Sequence, residues 1–290
     1  MIYVVIGFEA GFPVKVWAKF LAPLGVCVAA IPVAAKDVDF KYSGQPIYIQ
    51  SEEIEDERKK DNWSGRLGIG LQIAPDFLGS SEHTLTSAVD FKASYKDIIF
   101  IENNKIGSIL YKKRLLRAGI IGRASLGRRN DLVLADLQGL PDVNEAFEVG
   151  VFAGTSLYKL FLSAEAYFDV SGVHNGANVE LEAGYTYEFN SKFTVAPILG
   201  AVWGSGDYMQ TYFGVDDAVG TSFEPYRASA GFYEVYAEIA MEHRLSKNWL
   251  VKGSMRFSDL VGSAENSPIV RSDDGSTDQL SAIFAVVWLF

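Results

Sequence analysis

The chain has 290 residues and only one cysteine, Cys27, so it cannot form an internal disulfide or a thiolate metal site. It also lacks a basic surplus. Lys and Arg total 26 against 36 Asp and Glu, and the net charge of −10 excludes the electrostatic footprint of a nucleic-acid binder. After residue 40 no run of about 18 apolar residues occurs, which excludes spanning helices in that part of the chain. Histidine is scarce, with His83, His174 and His243 alone. The first two fall in turns rich in Gly and Ser, where a histidine reads as a solvated polar residue, and His243 falls on an outward position near a strand end. No His/Cys/Asp/Glu group has metal-ligand spacing. Gly65, Gly68 and Gly70 alternate along a strand instead of opening a helix, so there is no phosphate loop. A serine hydrolase would need a Ser activated by a His that a third group orients, and no such pattern is present. The chain therefore reads as a non-enzyme that needs no cofactor and no metal.

Aromatic residues, by contrast, are plentiful at 13%, and the mean hydropathy is only +0.10. From Trp63 onward apolar residues recur with a period of two, as in half-buried strands. Trp63, Leu67, Ile69, Leu71 and Ile73 alternate with Ser64, Arg66 and Gln72, and Tyr233, Val235, Ala237 and Ile239 alternate with Glu234, Tyr236 and Glu238. The segments run to about 10 to 13 residues, long for globular strands and right for tilted membrane strands. The last one, Gln279 to Phe290, places Leu280, Ala282, Phe284, Val286, Trp288 and Phe290 on one face. A closing strand that ends on an interfacial aromatic is the mark of an outer-membrane barrel. Phe284, Trp288 and Phe290 are accordingly assigned as the terminal signal read by the barrel-assembly machinery. The opposite face of that strand, Ile283, Ala285, Val287 and Leu289, is also apolar, which predicts a packed, dry lumen beside it.

Eleven strands are visible: 63–73, 84–95, 98–112, 115–126, 146–157, 159–169, 179–189, 192–203, 233–242, 249–258 and 279–290. Single-chain bacterial barrels have an even number. The expected fold is an all-β, closed antiparallel transmembrane barrel of about twelve strands, with ten as the alternative. The missing strand is sought at Pro46–Gln50 or at Tyr208–Phe213. Short links at 157–158, 190–191 and 245–248 then face the periplasm, and long ones at 127–145, 170–178, 204–231 and 260–278 face outward.

Residues 1–35 read as a cleaved export signal. Lys15 and Lys19 precede an apolar stretch that contains Cys27, and Val33-Ala34-Ala35 forms a small-residue cleavage site. The bulky Val26 argues against a lipoprotein box. Residues 36–62, with the charged run Ser51–Lys60, read as a solvated periplasmic leader, and 63–290 form the barrel.

Polar positions on the inward parity carry both signs, including Glu148, Glu165, Glu180, Glu182, Glu188, Glu234, Glu238 and Glu242 against Arg66, Lys92, Arg117, Arg123, Arg244, Lys252 and Arg256. A three-residue link after Arg244 would set Glu242 opposite Lys252 and Glu238 opposite Arg256 as structural lumen charge pairs. A lumen laddered in this way reads as filled rather than as a wide pore.

Three stretches carry a family resemblance. They are Gly68–Ser81, with its Pro75-Asp76-Phe77-Leu78-Gly79-Ser80 turn; Tyr212–Val215 followed by Ala228; and Leu245–Trp249 with Phe257–Val270. Together they resemble the MipA/OmpV family, the MltA-interacting outer-membrane proteins, over about residues 62–290. The resemblance implies a Gram-negative outer-membrane location, contact with outer-membrane lipid, and no catalytic residues. It also implies a scaffold role in which a lytic transglycosylase is joined to a penicillin-binding protein. A small-solute pore is the runner-up. A surface adhesin or antigen using the loops 127–145, 204–231 and 260–278 is the third reading, and a soluble β-sandwich the fourth.

Overall fold

The computed structural model describes residues 2–7, 26–31 and 63–290, the last without 114, 126, 129–139 and 217–222. The segments Pro46–Gln50 and Ser51–Lys60, and most of the export signal, lie outside the described residues. The chain divides into two units, Met1–Lys36 and Asp37–Phe290. In the first, β1 (Ile2–Gly7) and β2 (Val26–Ile31) pair in parallel, from Ile2 opposite Val26 to Gly7 opposite Ile31.

The second unit is a single closed antiparallel sheet. Its strands are β3 (Trp63–Pro75), β4 (His83–Tyr95), β5 (Ile99–Glu102), β6 (Lys105–Lys113), β7 (Leu116–Ser125), β8 (Ala146–Leu157) and β9 (Leu160–Asp169). They continue with β10 (Ala177–Tyr185), β11 (Tyr187–Asn190), β12 (Phe193–Gly204), β13 (Gly231–Arg244), β14 (Trp249–Leu260) and β15 (Asp278–Leu289). β10 and β11 are two parts of one stave, interrupted at Thr186, and both pair with β12. The thirteen named strands therefore make a twelve-stranded barrel. Closure is made by β15 against β3, from Ala282 opposite Ile73 to Leu289 opposite Arg66.

The twelfth strand is not where the alternation placed it. The run 98–112 is two strands, because Asn103 takes a left-handed conformation (φ 50°) and turns the chain after four residues of β5. The turn is clamped to both neighbours. Phe91 N donates to the Asn103 carboxamide oxygen, and Asn104 Nδ2 donates to Ala124 O. Tyr208–Phe213, the other candidate, belongs to a helix, α1 (Gly206–Phe213), capped by Ser205.

The outward face is apolar. Ile69 is 73% exposed, and Leu199, Val151, Ile239 and Phe284 are likewise open. In water such a surface would be untenable, and in lipid it is the solvation layer. Trp63, Tyr95, Tyr187, Phe189, Trp249, Trp288 and Phe290 gather at the end that carries the short turns. That end faces the periplasm in barrels of this kind. Phe290 exchanges main-chain hydrogen bonds of 3.0 Å with Gly65, and its ring lies over that glycine, where a Cβ would collide with it. This placement gives a depth test. Phe284→Arg, near mid-strand, should cost about 2–4 kcal/mol of unfolding free energy, and Trp288→Arg, at the rim, about 1 or less. Urea unfolding in lipid vesicles measures both. Equal costs would mean that the apolar band is not centred where β15 places it.

Candidate functional site: a filled lumen

Inward side chains of a barrel converge, and here they meet as three charged clusters and a plug. Nearest the short-turn end, Arg66 donates to Asp90 at 2.8 Å and to Glu102 at 2.9 Å. Lys252 reaches Asp90 at 3.1 Å and Glu242 at 3.7 Å. Lys92, also buried, lies in the field of Glu102, Arg66, Lys252 and Glu242. Beside it Leu250, Ala285, Val287 and Leu289 form a dry apolar layer, and Val287 is fully buried.

The second cluster is centred on Arg256. Its Nε donates to Glu238 at 2.9 Å, its other nitrogens lie 4.0 Å from Glu180 and Glu182, and its guanidinium stacks 3.8 Å above the Tyr236 ring. The Tyr236 hydroxyl, with one proton to donate, lies 2.9 Å from Glu180 and 2.7 Å from Glu182. Its ring covers Gly200, where any side chain would strike it. The third cluster joins Arg123 to Glu148 at 2.5 Å and to Asn178 at 3.0 Å, with Arg123 stacked 3.9 Å over Tyr167. Lys105 and the Tyr167 hydroxyl both donate to Glu165, at 2.7 and 2.5 Å.

The register of β13 with β14 sets Glu238 opposite Arg256 and Glu242 opposite Lys252. Phe284, Trp288 and Phe290 all lie on the outward face of β15. Glu188 shares the inward parity but sits at the exposed short-turn rim, near Lys159 at 3.9 Å. His83 and His243 are exposed. His174 is a correction. It lies in a turn but is only 2% exposed, because the 170–176 turn folds inward over the third cluster. Gly176 N donates to its Nδ1 at 3.1 Å, which leaves the proton on Nε2, 3.3 Å from Glu148. Burial of a loop histidine depends on tertiary packing, and no local pattern announces it.

At the long-loop end α1 lies inside the barrel. Tyr208, Met209, Tyr212 and Phe213 are buried against Tyr233, Leu260, Ala264 and Val270. Their spacing is that of a helical face, a signal the strand reading passed over. The last carbonyls of the helix are held from outside it. Arg128 Nη1 donates to Tyr212 O at 2.9 Å and Ser267 Oγ to Phe213 O at 2.7 Å. Among the described residues no group of three or more His, Cys, Asp or Glu side chains is placed to hold a metal. What the lumen can do chemically is bind and fill.

The model of the family described as MltA-interacting protein MipA matches residues 67–290, most of the chain and nearly the whole barrel. The chain belongs to the MipA family. It is an outer-membrane β-barrel of the Gram-negative envelope. None of the curated proteins matches the sequence. Among solved structures it is similar to the COG4313 outer membrane channel of Pseudomonas putida F1, at 8% identity and a TM-score of 0.45, over 86% of this chain and 100% of that one. It is also similar to the CymD monoaromatic hydrocarbon channel, at 12% identity and 0.42, over 87% and 93%. The outer membrane channel DcaP of Acinetobacter baumannii follows, at 10% identity and 0.37, over 79% and 96%. At such low similarity nothing about permeation carries over to this MipA-family barrel.

Proposed function

We propose that the protein is a non-enzymatic outer-membrane scaffold whose periplasmic rim docks peptidoglycan-remodelling enzymes. The observation that carries this reading is the lumen. Buried ion pairs, the Leu250–Val287–Leu289 layer and α1 fill a twelve-stranded barrel that could otherwise hold water. A barrel blocked at several heights is suited to presenting surfaces rather than conducting solutes. The family description, MltA-interacting protein, supports a lytic transglycosylase as the partner, with a penicillin-binding protein as the third member. In this reading residues 1–35 are removed on export, 36–62 form a periplasmic leader, and the docking surface is that leader with the short turns after β6, β8, β11 and β13. Phe284, Trp288 and Phe290 serve as the signal for barrel assembly.

Periplasmic crosslinking followed by purification of the barrel tests the scaffold. Recovery of a lytic transglycosylase, lost when Ser246–Asn248 and Tyr158–Lys159 are replaced by Gly-Ser linkers of equal length, is the expected result. Absence of cell-wall enzymes, under conditions that trap the barrel-assembly machinery on the same protein, would overturn it.

A further inference from the structure

Charge is sorted between the two ends of the barrel. The outward links 76–82, 127–145, 170–178, 204–231 and 260–278 contain no lysine and, taken together, are rich in Asp and Glu. Beyond Trp63, every lysine that does not enter the lumen clusters sits at the short-turn end. Each short turn has one at or beside its tip, namely Lys96, Lys113, Lys159, Lys192 and Lys247, all exposed. Of the described carboxylates at this level, Glu242 is turned toward Lys252, Asp97 lies 3.6 Å from Lys112, and Glu188 lies 3.9 Å from Lys159. The last two pairs are open to water, where such contacts hold weakly. A chain of net charge −10 thus presents a basic face among the described residues of its periplasmic rim.

Two of these turns carry side chains that their backbone disfavours. In the turn from Tyr95 to Ile98 the central residues, Lys96 and Asp97, have φ of 51° and 52°. In the β8–β9 hairpin, where Leu157 pairs with Leu160, Tyr158 has φ 57°. Positive φ at a hairpin tip selects Gly, Asn or Asp, and a bulky residue there is strained. Tyr158 is 94% exposed, so its own chain packs against almost none of it. A girdle aromatic lies along a strand end, as Trp63 and Trp249 do, whereas Tyr158 stands at the tip of its turn. Strain held at so exposed a position points to a task outside the fold.

The place of Tyr158 on the rim matters too. Counted around the sheet from β3, β8 and β9 are the sixth and seventh strands, so Tyr158 lies across the rim from Trp63, where the leader enters. Lys159 follows it in the chain, and Lys113 and Lys192 belong to the neighbouring turns on either side. Tyrosine is enriched among the few residues that dominate protein interfaces. Cations of one sign around such a ring complement a face that is acidic about a pocket for it. A lipid headgroup layer would accept the lysines, but it does not call for a ring held in a strained turn.

We infer that the periplasmic rim docks a protein through an acidic face of that partner, with Tyr158 as the anchor and Lys113, Lys159 and Lys192 flanking it. This rests on the scaffold reading above and names the chemistry of the docked face.

The test titrates the full chain, held in phosphatidylcholine nanodiscs, with a purified soluble lytic transglycosylase, and uses polyglutamate as competitor. Saturable binding is expected, displaced by polyglutamate and weakened by added salt. Tyr158→Gly should weaken it on the order of tenfold or more, mainly through faster dissociation. The urea midpoint of that variant should hold or rise, because glycine takes the turn without strain. Changing Lys113, Lys159 and Lys192 together to Gln should slow association on the order of tenfold and remove most of the salt dependence. Wild-type affinity in Tyr158→Gly, or a lowered midpoint showing that the ring supports the fold, overturns the anchor. Wild-type affinity in the lysine variant, with a lost preference for phosphatidylglycerol over phosphatidylcholine vesicles, would assign the lysines to headgroups and overturn the acidic face. Both of those outcomes leave the scaffold reading standing. Absence of binding by the wild-type chain would overturn the scaffold reading, and this inference with it.

Discussion

Arg256→Gln is expected to lower the unfolding free energy of the barrel by about 3–5 kcal/mol, the cost of removing one partner from a buried charge cluster. Glu238, Glu180 and Glu182 reach this guanidinium from two strands, β13 and β10, and its side chain is only 4% exposed. Without the cation three carboxylates would share one buried region stripped of the positive charge at its centre, and the Tyr236 ring would lose its stacking partner. Glutamine keeps much of the volume and can still donate hydrogen bonds, so the loss reads charge rather than cavity. Arg256→Gln with Glu238→Gln removes one charge of each sign and should recover part of the loss. The coupling should lie in the range of about 0.5–3 kcal/mol seen for residues in one network. Urea titration in lipid vesicles, followed by tryptophan fluorescence, measures these two variants and Glu238→Gln alone, which completes the cycle. A loss below about 1 kcal/mol would show that water reaches the cluster and that the pair behaves as a surface ion pair.

The same residues show what the chain discloses before it is folded. Glu238 opposite Arg256 and Glu242 opposite Lys252 follow from counting across the short link at 245–248, because a hairpin transmits register locally. The contacts from Arg256 to Glu180 and from Lys252 to Asp90 do not, since they join elements far apart in the chain and exist only once the wall has curved back on itself. The twelfth strand escaped for a different reason. β5 is four residues long within an apolar run, so alternation continues through it, and only the Asn103-Asn104 pair marks the turn. α1 escaped because Tyr208, Met209, Tyr212 and Phe213 fit a short strand as well as they fit a helical face, and length alone could not arbitrate. His174 and Arg128, both outside the strands, are buried by tertiary packing that no local pattern announces.

Planar-bilayer recording should find the full barrel electrically silent, and opening it should require more than removing the plug. A twelve-stranded wall lies between the eight strands that side chains alone can fill and the sixteen or so that leave an aqueous channel. Its closure therefore depends on long and paired side chains at several heights. Replacing Gly206–Phe213 with a Gly-Ser linker removes the upper block but leaves the Arg256 cluster, the Arg66–Asp90–Lys252 cluster and the Leu250–Val287–Leu289 layer beneath it. That variant should remain silent. Adding Arg256→Ser and Tyr236→Ser removes the stacked pair that reaches toward β10, and adding Val287→Gly thins the layer below. Discrete, stable current steps are expected only in the combined variant, provided that it still folds by unheated gel mobility. Steps in the wild-type protein would make the barrel a solute pore and displace the scaffold reading. Steps on removal of the helix alone would show that the charged clusters pass water and ions, and that α1 is the gate rather than one filler among several.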